Sequence, residues 1–186
     1  MNTINDELIL FSKELLEFHI PRWDELPDIE LYMDQVITFI ENNILISSIS
    51  FGERIITPSM VNNYVKLNLI PKPVKKRYGK THLAYLIAIS ILKHVFTIQK
   101  VKDGISFQST LSGEKDAYNL FCQEQEAAIK LLASQVLPEG EYTAQTTCIS
   151  TENLVIKMAT LAFASKIIGE KTIELQTDFM DKENKS

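Results

Sequence analysis

Ser59, Asn62, Asn63 and Lys66 sit three or four residues apart, so in a helix they share one face. Their side chains offer hydrogen bonds with only a single charge among them. An asparagine amide can pair in bidentate fashion with adenine in the major groove, and serine and lysine can bond phosphate oxygens or base edges. Lys72, Lys75, Lys76, Arg77, Tyr78 and Lys80 follow within a few residues, a cluster suited to holding a phosphate backbone. These ten positions are the candidate contact residues. Enzymatic chemistry has no comparable set. His19, His82 and His94 are far apart, and there is no Walker loop, GxGxxG, HExxH or nucleophile elbow. Cys122 and Cys148 stand singly, without the CxxC spacing of a zinc site or the density of a disulfide scaffold. No catalytic residue, cofactor or metal is therefore expected.

Charge segregation strengthens the first reading. The chain carries 19 Lys/Arg and 24 Asp/Glu, yet from Arg54 to Lys102 there are ten basic residues and no acid. The remainder holds nine basic residues against all 24 acids. A patch of one sign steers and retains a polyanion. The plainer alternative is a solvated basic face that only keeps the protein soluble. A third reading is a helical protein-interaction module that sets the same face against an acidic partner protein.

The elements that would position these residues can be read from local signals. Thr57 is suited to cap a helix and Pro58 fits its first position, where no N–H is needed. Met60, Val61, Tyr64 and Leu67 recur as its inner stripe, and Asn68 suits the left-handed residue that ends it before Pro71. Lys72 to Tyr78 is too rich in proline for a central strand and suits an edge hairpin or extended arm. A second, almost wholly apolar helix is expected from Leu83 to about Val95. Thr97 should cap a third, short helix closed by Asp103-Gly104. Helix, basic arm, apolar helix and short helix describe a winged helix-turn-helix.

The segment VNNYVKLNLIPKP resembles the recognition helix and turn of MerR-type regulators, with Tyr64 matching the family's tyrosine and Leu69-Ile70-Pro71 its leucine and proline turn. RYGKTHLAYL resembles their wing end and following helix, and VFTIQKVK their next helix start. A longer stretch, from Leu26-Pro27-Asp28 to about Gly104, resembles the uncharacterised YkrK-like family of Gram-positive bacteria. The resemblance implies an all-α fold with a small MerR-like wing, and a role in binding double-stranded DNA and regulating transcription. Asn62, Asn63 and Asn68 replace the arginine, tyrosine and glycine usual in MerR proteins, so no base preference is implied.

The rest of the chain completes the expected layout. An N-terminal helix over 5–18 and a linker carrying Trp23 occupy 1–27. The winged module spans 28–104, its first helix capped by Asp28, with Leu31, Met33, Val36, Ile37, Ile40, Ile44 and Leu45 on the apolar side. A turn or short strand is expected at Gly52. Two further helices, about 115–136 and 151–168, separated by a turn at 137–141, make up a C-terminal segment, 105–177. The second of them is apolar on nearly every face and must be surrounded. Dimerisation through these helices is expected, with a folded-back N-terminal helix as the alternative cover. Residues 178–186 are expected to be a disordered tail. No signal peptide or membrane-length apolar run is seen, which points to a cytoplasmic protein.

Overall fold

The computed structural model describes residues 2–44, 54–138 and 150–183. Seven α-helices and no strand occur among them: α1 (Asn2–Leu16), α2 (Met33–Ile44), α3 (Pro58–Lys66), α4 (Lys80–Leu92), α5 (Ile98–Ser112), α6 (Glu114–Ser134) and α7 (Leu154–Glu183). The fold is all-α. The chain divides into two compact units, His19–Glu124 and Met1–Phe18 with Gln125–Ser186. Among the described residues, no helix is long and apolar enough to cross a membrane. The turn expected at Gly52 and most of the one expected at 137–141 lie outside the described residues, as does Leu45.

The 19–124 unit is built around α4. Its sequence, KTHLAYLIAISIL, is apolar on every face, and such a helix is stable only when enclosed. Leu83, Leu86, Ile87, Ile89 and Ile91 are fully buried. Helix α2 packs on α4 and α3, and α5 packs on α4. Helix α2 begins at Met33, later than the Asp28 start expected from the sequence. Residues 28–31 are otherwise engaged: Leu31 exchanges both backbone hydrogen bonds with Tyr78, at 2.9 Å each, and Asp28 pairs with Lys80 at 2.7 Å. The helix starts only after that extended bridge, with the Gln35 side chain accepting from the Tyr32 N–H.

The 19–27 linker is fastened inside the same unit. The Tyr118 hydroxyl donates to the Pro21 carbonyl at 2.7 Å, Asn119 accepts from the Trp23 N–H, and Lys115 pairs with Asp24. Trp23 meets the Tyr118 ring edge-on, with centroids 6.4 Å apart. Burial of the Tyr118 phenol pushes its pKa far up, so its proton stays available for the bond to Pro21.

Helix α5 corrects the expected stop at Asp103-Gly104, running on to Ser112. A glycine inside a helix costs only about 1 kcal/mol, and Val101 and Gln108, buried on either side of Gly104, hold the helix together. The break comes at Gly113, where φ +82° and ψ 161° demand a residue without Cβ. Helix α6 begins at the next residue.

In the second unit α1 packs on α7. Helix α7 continues to Glu183, so residues 178–183 are helical and the tail expected there is corrected. Buried Leu175 explains this: it anchors a turn that the charged residues around it concealed in the sequence. Residues 184–186 lie outside the description.

Candidate nucleic-acid interface

Helix α3 is framed by both of its termini. The Thr57 hydroxyl accepts from the Met60 N–H at 3.2 Å, and Pro58 occupies the first turn. At the other end Asn68 adopts φ 53°, Asn68 N–H bonds to the Val65 carbonyl, and Leu69 N–H bonds to the Tyr64 carbonyl. These two bonds make a Schellman closure, and asparagine is the residue after glycine that best tolerates its left-handed position. Lys102 donates to the Leu67 carbonyl at 3.1 Å, satisfying one more orphan acceptor at this end.

Val61 and Tyr64 face inward, and burial pushes the Tyr64 phenol pKa up. Leu67, placed on the inner stripe by its spacing, is 43% exposed. The Schellman turn redirects the chain there, and buried Leu69 and Ile70 fill the interior in its place. Ser59, Asn62, Asn63 and Lys66 are all exposed, and none of their side chains is engaged by another described residue.

Five residues after α3 leaves its closing turn, the chain reverses at Val74–Arg77. The Arg77 N–H bonds to the Val74 carbonyl at 2.9 Å, and both central residues have positive φ, Lys75 at 50° and Lys76 at 62°. This is a type I′ turn, whose central positions normally hold Asn-Gly. Each non-glycine residue in the left-handed region costs roughly 1–2 kcal/mol. Two isolated bridges, Val74 with Arg77 and Leu31 with Tyr78, are the only β pairing among the described residues.

The remaining candidates separate by their partners. Lys72, Lys75 and Lys76 are exposed and unengaged. Arg77 lies 4.7 Å above the Tyr32 ring and donates to its hydroxyl at 2.9 Å. Lys80 is held by Asp28 and is largely covered. Tyr78 is buried, its phenol pKa raised by that burial, so its side chain is withdrawn from the surface. It meets His82 edge-on, with centroids 5.4 Å apart. Lys93 donates to the Ile55 carbonyl at 2.6 Å. Of the ten basic residues in the acid-free stretch, Arg77, Lys80, Lys93 and Lys102 thus have structural engagements. The carbonyl partners of Lys93 and Lys102 lie 38 and 35 residues away in sequence, and no local signal reveals such pairs.

His82 has a structural role that the sequence did not disclose. Its Nδ1 accepts from the Gly79 N–H at 3.1 Å, capping the start of α4, so the neutral ring carries its proton on Nε2. Burial lowers its pKa, against the opposing effects of the backbone at Lys72 and Pro71 and of the charges on Glu30 and Glu114. The folded state therefore resists protonation. Stability is complete above the unfolded value of about 6.5 and is lost as pH falls from there through the lower folded value. A thermal melt series from about pH 8 to about pH 5 should show this loss. His82→Gln, whose amide oxygen can still accept from Gly79, should flatten the acid limb relative to the wild type. An unchanged limb would assign the acid sensitivity to other groups.

Comparison with known proteins returns one family model, that of a domain of unknown function, over residues 21–123. The matched segment nearly coincides with the compact unit 19–124. No curated protein and no solved structure matches the chain.

Proposed function

The chain belongs to the DUF1836 family of domains of unknown function, and from that premise we propose that its 21–123 segment binds double-stranded DNA as a transcriptional regulator. Helix α3 would enter the major groove, presenting Ser59, Asn62, Asn63 and Lys66 to bases and phosphates. The Val74–Arg77 turn would act as a small MerR-like wing, placing Lys72, Lys75 and Lys76 on the flanking backbone. The observation that carries this reading is the turn itself. Two lysines occupy left-handed positions where Asn-Gly would be less strained, and both are exposed without a partner among the described residues. Backbone strain retained at an exposed, unpaired cationic tip favours a role for the charges outside the fold. Asp28 pairs with Lys80 and leaves the tip lysines Lys75 and Lys76 unneutralised by it.

Base reading and backbone holding have different signatures. Asn62→Ala and Asn63→Ala are expected to relax sequence preference at particular positions by about 1–3 kcal/mol of discrimination. Lys66→Ala should weaken all duplexes alike. Because all three side chains are exposed, stability should change by no more than about 0.5 kcal/mol. Selection from random duplexes, repeated with each variant, makes the comparison. Failure of the wild type to enrich any sequence, together with capture of an acidic protein that the basic face retains, would favour the protein-interaction module.

A further inference from the structure

Residues 28–32, just ahead of α2, lie against the exit of the basic arm and hold it residue by residue. Leu31 and Tyr78 exchange both backbone hydrogen bonds at 2.9 Å, and both are buried. That antiparallel register sets Tyr32 directly opposite Arg77. The two side chains meet: the Arg77 guanidinium lies 4.7 Å over the Tyr32 ring and donates to its hydroxyl at 2.9 Å. Asp28 takes Lys80 at 2.7 Å. Tyr32 is fixed in turn, its backbone N–H donating to the Gln35 side chain at the start of α2.

The Val74–Arg77 turn needs such support. Val74 is 64% exposed, and Lys75 and Lys76 are exposed, so the tip buries nothing of its own. Both lysines hold left-handed backbone that resists the turn. A two-stranded hairpin is at best marginal in water without other packing. Among the four turn residues, only the Arg77 side chain has a polar or ring partner among the described residues. Tyr32 itself is 48% exposed, and a cation–ring contact at such a site adds little to the stability of a whole domain. Its effect falls on the place of the turn.

We infer that Tyr32 is a positioning residue for the basic turn: acting through Arg77, it holds Lys75 and Lys76 where they engage a duplex and touches none of it. The inference rests on the DNA-binding reading and deepens it, adding a residue outside the acid-free stretch on which affinity depends. Arg77 serves as the tie between arm and brace. When the tie is cut, a chain whose turn is out of place must recover it before binding, and apparent affinity falls by the fraction still in place. The bound complex keeps the same phosphate contacts, so the salt dependence stays as it was.

The full chain carrying Tyr32→Phe or Tyr32→Ala tests this with and without DNA. Without DNA, trypsin cleavage after Lys75 and Lys76 reports how often the turn opens. Tyr32→Ala should speed that cleavage about tenfold, with a thermal midpoint near that of the wild type. Tyr32→Phe keeps the ring under the guanidinium and loses the hydroxyl, so its rate should fall between the two. With duplex DNA, Tyr32→Ala should weaken binding several-fold at an unchanged salt slope, whereas Lys75→Ala or Lys76→Ala should each lower the slope by about 1. In an Arg77→Gln chain, adding Tyr32→Ala should change neither cleavage nor affinity further. Unchanged cleavage in Tyr32→Ala, faster cleavage with unchanged duplex affinity, or a Tyr32 effect that persists without Arg77 would each overturn the inference. A wild type that binds no duplex would remove the DNA reading, and the cleavage comparison would still decide whether Tyr32 holds the turn.

Discussion

Replacing Lys72, Lys75 and Lys76 with glutamate is expected to abolish duplex DNA binding while the helical circular dichroism and thermal midpoint stay near those of the wild type. All three side chains are exposed and unengaged by other described residues, so reversing them removes no packing and no ion pair among those residues. Arg77 is left in place because it stacks on Tyr32, and its loss would confuse a structural effect with an electrostatic one. If roughly six phosphate contacts release their counterions, log affinity should fall with log salt at a slope of about −5 in the wild type. The control is Lys75→Asn with Lys76→Gly, which installs the preferred type I′ pair. It should raise stability by about 1 kcal/mol or more through relief of the left-handed strain. It should also weaken DNA binding and reduce the salt slope by about 2 units. A chain that becomes more stable as it binds DNA less well would separate the purpose of the lysines from the needs of the fold. Normal binding by the triple glutamate variant, or affinity insensitive to salt, would remove the wing from the proposal.

The second large effect is on stability. Leu86→Ala is expected to destabilise the 19–124 unit by about 2–5 kcal/mol, the range for a large-to-small change at a fully buried site. Leu86 is wholly inaccessible, on the helix against which α2 and α5 pack. The lost transfer energy and the cavity add, since neighbours on a helix enclosed on every side cannot collapse freely. Leu67→Ala is the comparison. Sequence spacing puts Leu67 in the core of α3, but at 43% exposure its truncation should cost about 1 kcal/mol or less. Urea unfolding of both variants, with equal m values, measures the difference. Equal losses at the two positions would mean that Leu67 is covered and the exit from α3 is wrong.

Local chemistry was the legible part. Thr57, Pro58 and Asn68 marked the ends of α3 because capping and left-handed closure depend on residues within a single turn. The apolar run of α4 declared its own burial, since no surface helix lacks a polar face. The polar, outward position of Ser59, Asn62, Asn63 and Lys66 followed from periodicity alone. The all-α class and membership in a family of uncharacterised domains agree with the sequence reading, at that level of detail.

Tertiary structure decided what each charge and each boundary does. Ten basic residues look alike in a row of letters, but Lys93 and Lys102 reach carbonyls more than 30 residues away, and Asp28 holds Lys80. Those pairings depend on which surfaces meet, which no local pattern encodes. Tyr78 was removed from the candidate face because its backbone pairs with Leu31 and its ring turns inward onto His82. Gly104 looked like a helix end and Gly113 proved to be one, because a glycine terminates a helix only where the chain takes up positive φ, and packing on both sides of Gly104 kept it helical. The sequence by itself determined the helices, their caps and the polar face of α3, all interactions between near neighbours. Which cations stay unengaged among the described residues was settled only when distant segments met, because contact between them consumes some surfaces and leaves the others exposed.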